Sequence, residues 1–418
     1  MKVCIHRGTK QIGGSCIELE HAGARILLDV GLPLDGACDD RSLLPRLTAG
    51  IEGVVVSHPH LDHYGLLHHL PADTPVCIGA AARRIIRAAA PFTGQPLPAL
   101  GGIDLQDRVP IQIGPFRITP YLVDHSAYDA YALLIEAGGK RLFYSGDFRG
   151  HGRKGELFER LLQHPPGEID VLLMEGTTLS RLDEPYAFPS EHDLENELLG
   201  HLQVTEGLVM VYASAQNIDR IVTVYRACKR ANRTLVIDLY TAAILEATGN
   251  AHIPQSFWPG VALFTPQRQR RQIVRLQAFE LLKRHAVQRI YQDALSQLAA
   301  SAVLLFRPLH MEDLQAAGVL AGASFIYSQW SGYLQEASSR PWRDWLQSRG
   351  IEMRHLHTSG HASPTDLQRF AKALAPASLV PIHSFASEQY PSQFDKVRFR
   401  EDGEWWSASG GRHDYYVG

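Results

Sequence analysis

A chain of 418 residues, 45% hydrophobic and 20% charged, has enough apolar material for a large core and the length of two domains, as is ordinary for a soluble globular protein. A net charge of −3 supplies no global attraction to nucleic acid, so any polyanion has to be held by a local basic groove or by metal ions. Five scattered cysteines without a CxxC pair fit a reducing cytoplasm, and neither a signal peptide, an apolar run long enough to span a bilayer nor an internal repeat is visible.

From the N-terminus, Gly8-Thr9-Lys10-Gln11-Ile12-Gly13-Gly14-Ser15 reads as a glycine-rich hairpin loop; no long helix follows to make a phosphate-binding P-loop. Arg25-Ile26-Leu27-Leu28-Asp29 is a strand ending in an acid. The chain is then organised around Val54-Val55-Val56-Ser57-His58-Pro59-His60-Leu61-Asp62-His63, a short buried strand with a polar cluster at its carboxyl end, where ligands sit in open α/β sheets. Pro59 blocks a continuous helix and biases His58 toward an extended conformation, so the imidazoles of His58 and His60 point the same way and can chelate one metal. Asp62 and His63 fall on the turn beyond, placed for a second. Imidazole and carboxylate suit zinc or manganese. His68 and His69 read as surface or core histidines. Two further strands, Phe116 to Val123 and Arg141 to Tyr144, end in His125 and Asp147, each a candidate ligand. Arg149, His151, Arg153 and Lys154 form a basic loop that can contact phosphate. A fourth strand, from Ile169, ends in Glu175.

Between about residues 185 and 345 strands and helices alternate: Leu208 to Val211, a helix Ile218 to Arg230, then Leu235 to Asp238. This rhythm predicts a small parallel sheet of its own, inserted as a second domain. Within it Ser214 can cap the helix start and, with Ser331, contact a nucleotide phosphate. The basic segment from Arg268 to Arg289, with Leu276, Phe279, Leu281 and Leu282 at helical spacing, predicts an amphipathic helix packing its apolar stripe. The first domain resumes near residue 346, with His357-Thr358-Ser359-Gly360-His361-Ala362-Ser363 and the strand Leu379-Val380-Pro381-Ile382-His383; Ser359 and Ser363 are further candidates for nucleotide contact. The tail around Trp405-Trp406 reads as a hairpin with buried aromatics.

His-x-His-x-Asp-His at residues 58 to 63 resembles the metallo-β-lactamase hydrolase superfamily. The acid ending a strand at Glu175, Ser-Gly-His ending at His361 and Pro-Ile-His ending at His383 are similar to the three motifs of its β-CASP nuclease branch, which includes ribonuclease J and the mRNA 3′-end cleavage endonuclease. The resemblance implies an α/β fold: an αββα sandwich formed by residues 1–184 and 346–418, with a β-CASP α/β domain inserted at 185–345. It also implies two divalent ions, read as zinc with manganese as the alternative. His58, His60 and His125 hold one, Asp62, His63 and His383 the other, and Asp147 bridges them. Asp29 supports the metal loop from behind. The implied activity is a cytoplasmic ribonuclease acting on single-stranded RNA, in which a hydroxide shared by the two ions attacks the phosphodiester and His361, oriented by Glu175, assists with Asp62 at the reacting centre. No membrane or stable protein partner is implied. Histidine at position 383, where branch members that cut DNA carry valine, points to RNA. The rival readings are a small-molecule ester, thioester or lactone hydrolase, which leaves the insert and Ser-Gly-His unexplained, and a non-catalytic RNA-binding scaffold, which would be expected to have lost ligands. Iron-based oxidoreductases of this fold carry glutamate at the position of His60. Ribonuclease J proper reads Pro-Ile-His-Gly-Glu and continues into an extra domain, whereas this sequence reads Pro-Ile-His-Ser-Phe and stops at Gly418; that departure puts 5′-exonuclease action in doubt.

Overall fold

The strand Ala130–Ala137 is apolar at nearly every position because both of its faces are covered. Tyr131, Leu133 and Ile135 enter one core and Ala130, Ala132 and Leu134 another, the two-residue period of a strand. In the computed structural model, which describes residues 1–47, 50–181 and 187–408, this strand lies inside a six-stranded sheet. Its order is Ser378–Ile382, Val171–Glu175, Lys140–Tyr144, Ala130–Ala137, Phe116–Val123, Ile111–Ile113. A seven-stranded sheet runs Trp405–Ser407, Lys2–Arg7, Cys16–His21, Ala24–Val30, Ile51–Val55, Val76–Gly79, Asp104–Leu105.

Side chains of both sheets, among them Ile5, Ile26 and Val55 from one and Ile118, Leu133 and Leu173 from the other, make a single core between them. The far face of the six-stranded sheet is covered by the helices Gly155–Gln163 and Pro364–Leu374, through Phe158, Leu161, Leu367 and Phe370. Ala82 and Ile86 of the helix Ala80–Thr93 cover the far face of the other sheet. Helix, sheet, sheet and helix stack as the expected αββα sandwich. Within the six-stranded sheet, Lys140–Tyr144, Val171–Glu175 and Ser378–Ile382 are parallel, and Phe116–Val123 shares their direction because two antiparallel pairings separate it from Lys140–Tyr144. Their carboxyl ends therefore leave the sheet on one side, which is what gathers the site.

The chain divides into two compact units, and the second comprises Arg87–Gly94 and Pro189–Ser359. It holds a seven-stranded sheet, parallel throughout, ordered Arg289–Ile290, Val261–Phe264, Thr234–Ile237, Ala302–Leu305, Val209–Tyr212, Ser324–Tyr327, Met353–His355. Met210, Val236, Leu304 and Phe325 centre its core. The strand Met353–His355 lies past residue 345, where the insert was expected to end, because it pairs with Ser324–Tyr327. The expected first boundary, between 184 and 185, falls outside the described residues. The basic segment is not one helix: Gln277 at φ 52° breaks it into Gln267–Leu276 and Phe279–Arg284, and Leu276 and Phe279 are 43% and 53% exposed instead of packed. In the tail Trp406 is buried but Trp405 is 40% exposed beneath the Arg25 guanidinium.

Candidate metal centre

Ser57 fixes the start of the histidine loop from two sides. Its N–H and hydroxyl donate to Asp29 at 2.7 and 2.8 Å, and its carbonyl accepts from Tyr131 N–H at 2.9 Å. His58 and Pro59 form a bend, His60 precedes the short helix Leu61–Tyr64 as its N-cap in extended backbone, and Asp62 and His63 fall on that helix. Its position against the sheet needs a glycine: a Cβ on Gly31 would come within 1.8 Å of the Asp62 carbonyl. The remaining side chains arrive from the strand ends. His125 follows Phe116–Val123, Asp147 follows Lys140–Tyr144, Glu175 ends Val171–Glu175 and His383 follows Ser378–Ile382. Gly146 (φ 53°) turns the chain into Asp147, and His383 itself adopts φ 49°, a strained conformation held by its N–H to Gly8 carbonyl at 2.7 Å.

These residues form three overlapping sets whose ligand atoms lie within 4.8 Å of one another: His58, His60 and His125; Asp62, His63, Asp147 and His383; and Asp147, Glu175, His361 and His383. Asp147 Oδ2 lies 3.2 Å from His63 Nε2 and 3.7 Å from His58 Nε2, so it stands between the first two sets. The donor set fits divalent ions on an observation independent of its spacing. His58 Nε2, His63 Nε2 and Asp147 Oδ1 are buried without a hydrogen-bond partner, and so is His125 Nδ1. Buried polar atoms left unpaired cost ~1–3 kcal/mol each, and a shared electrophile removes that cost for all of them.

The charges are arranged accordingly. Burial, reinforced by neighbouring histidines, holds His58 and His125 well below the usual imidazole range and brings His60 down to about 4, so all three are neutral donors. His63 is also penalised by burial, but Asp147, Asp29 and Asp62 outweigh it and raise its pKa. Against the cost of burying their own charge, His383, His63 and His361 hold Asp147 below the carboxylate range, as His63 and His383 do for Asp62. His63 Nδ1 faces Asp29 Oδ2 at 2.7 Å, which fixes its tautomer and turns Nε2 to the centre. His361 Nδ1 lies 3.2 Å from Glu175 Oε2; burial disfavours its cation, yet Glu175 and Asp147 lift it to about 9. Its side chain remains 22% exposed while those of His58 and His63 are fully buried, so it sits on the open side of the centre.

The other expected contacts are distributed differently. Ser363 is 2% exposed and caps the helix Pro364–Leu374, accepting from Asp366 N–H and donating to its carboxylate, both at 3.1 Å. Ser214, Ser331 and Ser359 belong to the second unit. Ser214 is not the helix cap: Asn217 takes that place, accepting from Arg220 N–H at 3.1 Å, because the helix starts only at Ile218. Arg149 is not a solvent-facing phosphate contact but fully buried against Asp124 at 3.4 Å, and Lys154 donates to His125 carbonyl at 3.1 Å. His69 is tied to the Cys38 carbonyl, and neither it nor His68 joins a ligand set. Sequence reasoning missed Thr177, whose hydroxyl lies 3.0 Å from His383 Nδ1, and Tyr144, whose hydroxyl donates to Asp29 at 2.5 Å. The two-residue offset of Thr177 from Glu175 was a usable signal; nothing separates Tyr144 from any core aromatic.

Comparison with known proteins agrees with the fold. The β-lactamase superfamily domain matches residues 24–223. Ribonuclease J of Sinorhizobium meliloti is 23% identical over 388 residues, 87% of this chain and 64% of that protein. The transcription termination factor FttA of Methanothermobacter thermautotrophicus is 29% identical over 219 residues, 46% and 33% of the two chains. An RNase J-like protein of Methanocaldococcus jannaschii is 27% identical over 267 residues, 58% and 59%. The chain thus spans less than two thirds of the length of these curated relatives. A crystal structure of an Enterococcus faecalis protein of unknown function superposes with a TM-score of 0.79 over 97% of this chain and 99% of that one, at 23% identity.

Proposed function

Since the chain matches the β-lactamase superfamily domain over residues 24–223 and is similar to ribonuclease J proteins, we propose that it is a metal-dependent phosphodiesterase of that superfamily whose substrate is single-stranded RNA. The observation that supports this most is the set of orphaned, buried donor atoms on His58, His63 and Asp147 beside His361, whose Nδ1 lies 3.2 Å from Glu175 on the open side of the centre. In this reading His58, His60 and His125 hold one divalent ion, Asp62, His63 and His383 hold a second, and Asp147 contributes to both. Such ions supply Lewis acidity, making bound water a nucleophile at neutral pH and neutralising phosphate oxygens. The protein's own part is orientation and proton transfer. Ser57, Asp29 and Thr177 fix the imidazoles that face the ions. His361, whose imidazolium form Glu175 favours, hydrogen-bonds a phosphate oxygen or gives its proton to the leaving oxygen. Glu175 accepts from its Nδ1–H, so Nε2 is the nitrogen presented to substrate.

His361→Ala is expected to lower turnover by roughly 10²-fold or more while retaining the metal content of the unmodified protein. Cleavage of end-labelled single-stranded RNA should require zinc or manganese and stop with a chelator. A thioester or lactone hydrolysed under conditions that leave RNA intact would refute the nuclease reading. The relation of this chain to the ribonuclease J proteins is what favours RNA over small esters.

A further inference from the structure

In open parallel sheets, ligands settle in crevices at the carboxyl ends of the strands. In the second unit Val261–Phe264 and Arg289–Ile290 pair in parallel with Phe264 opposite Ile290, so Thr265 and Tyr291 leave the sheet side by side. With Arg270, Arg289, Gln292 and Asp293 they line a cavity of about 270 Å³. Thr265 is only 4% exposed, yet its hydroxyl has no hydrogen-bond partner, and Arg289 Nε is also buried and unpartnered. A guanidinium only donates, so what Arg289 lacks is an acceptor, and Thr265 can donate to the same one. Buried donors are almost always satisfied in folded proteins. Arg270 reaches Asp313 at 3.5 Å, a long contact for an ion pair. Two guanidinium groups against the single carboxylate of Asp293 leave the lining cationic. Tyr291 is 60% exposed, with the Arg289 guanidinium 4.9 Å from its ring centre, the kind of aromatic surface on which a base stacks.

We propose that this cavity binds a nucleoside phosphate, with the phosphate against Arg270, Arg289 and the Thr265 hydroxyl, a ribose hydroxyl against Asp293 and the base against Tyr291. It shares no residue with the metal centre, so binding there is separable from hydrolysis.

Titration calorimetry on the metal-loaded full chain with AMP, adenosine and a short phosphorothioate oligoribonucleotide tests it. Arg289→Gln is expected to weaken AMP binding roughly tenfold or more, and Thr265→Val to weaken it severalfold, with metal content and melting temperature as in the unmodified chain. Adenosine, lacking the phosphate, should bind at least roughly tenfold more weakly than AMP. If Arg289→Gln does not fold, Thr265→Val alone decides, since it keeps the side chain's shape and removes only the hydroxyl. Loss of oligoribonucleotide affinity alongside AMP affinity in these variants identifies the phosphate of an RNA chain as the occupant; loss confined to AMP identifies a free nucleotide. AMP affinity unchanged in the folded variants, or equal affinity for AMP and adenosine, overturns the proposal.

Discussion

Asp29 shows how much of the centre depends on a residue that belongs to none of the ligand sets. It is fully buried, adopts φ 58°, and its carboxylate takes contacts from Ser57, His63 and Tyr144. An amide in its place can donate to Nδ1 as well as accept from it, so the tautomer of His63 is no longer fixed. Asp29→Asn is therefore expected to lower metal affinity by roughly 10–100-fold, measurable by competition with a chromophoric chelator; unchanged affinity would mean that His63 is oriented without it. At this scale the sequence was most informative where residue type and spacing act together. His58, Pro59 and His60 have their geometry in the local chain, and the acid or histidine at a strand end has its direction in the sheet. Thr177 had a local signal in its offset from Glu175, whereas Tyr144 acts only through a contact across the fold, to Asp29, and such a contact leaves no local pattern. Arg149 is the opposite case, a charge whose loop position suggested contact with phosphate but whose guanidinium is matched by a buried Asp124.

The strands and helices were legible where apolar period and length agreed, as in Phe116–Val123 and Ile218–Arg230. They were not legible between Gln267 and Arg284, because the break rests on a left-handed glutamine, a residue with no turn signal of its own. The packing of elements gives two stability predictions. Leu133 lies at 0% exposure in the core between the sheets, so Leu133→Ala should cost ~2–5 kcal/mol in urea unfolding. The helices Glu191–Val204 and Ile218–Arg230 are joined by a buried pair in which Arg220 Nη2 and Nε donate to Glu191 at 3.0 and 3.1 Å. Breaking a pair of this kind strands a buried charge, so Glu191→Ala should cost ~3–5 kcal/mol; a shift below ~1 kcal/mol, the range of exposed pairs, would show the pair to be hydrated in solution.

For the molecule as a whole, buried neutral histidines predict acid sensitivity. Burial lowers His310 to about 4 and His357 to about 3, from the ordinary value near 6.5. Between these values the unfolded chain binds more protons than the folded one, so the contribution of these two residues to stability is full above pH ~6.5 and is lost as pH drops toward the folded values. The loss from His310 alone is on the order of 3 kcal/mol; urea midpoints of metal-free protein at stepped pH values should fall through this window, and a flat profile would contradict the burial of these rings as neutral groups. No helix among the described residues is long and apolar enough to cross a membrane. The sandwich and the parallel sheet of the second unit were both legible from motif order and strand rhythm. The limits of that second sheet were not, because Met353–His355 is short, polar and recognisable as a strand only through its pairing. The most direct test is elemental analysis of purified chain that actively cleaves RNA, compared with His58→Ala and Asp147→Ala. Two equivalents of a divalent transition metal per chain, falling together with cleavage in both variants, is the predicted result; active material without stoichiometric metal would contradict the account.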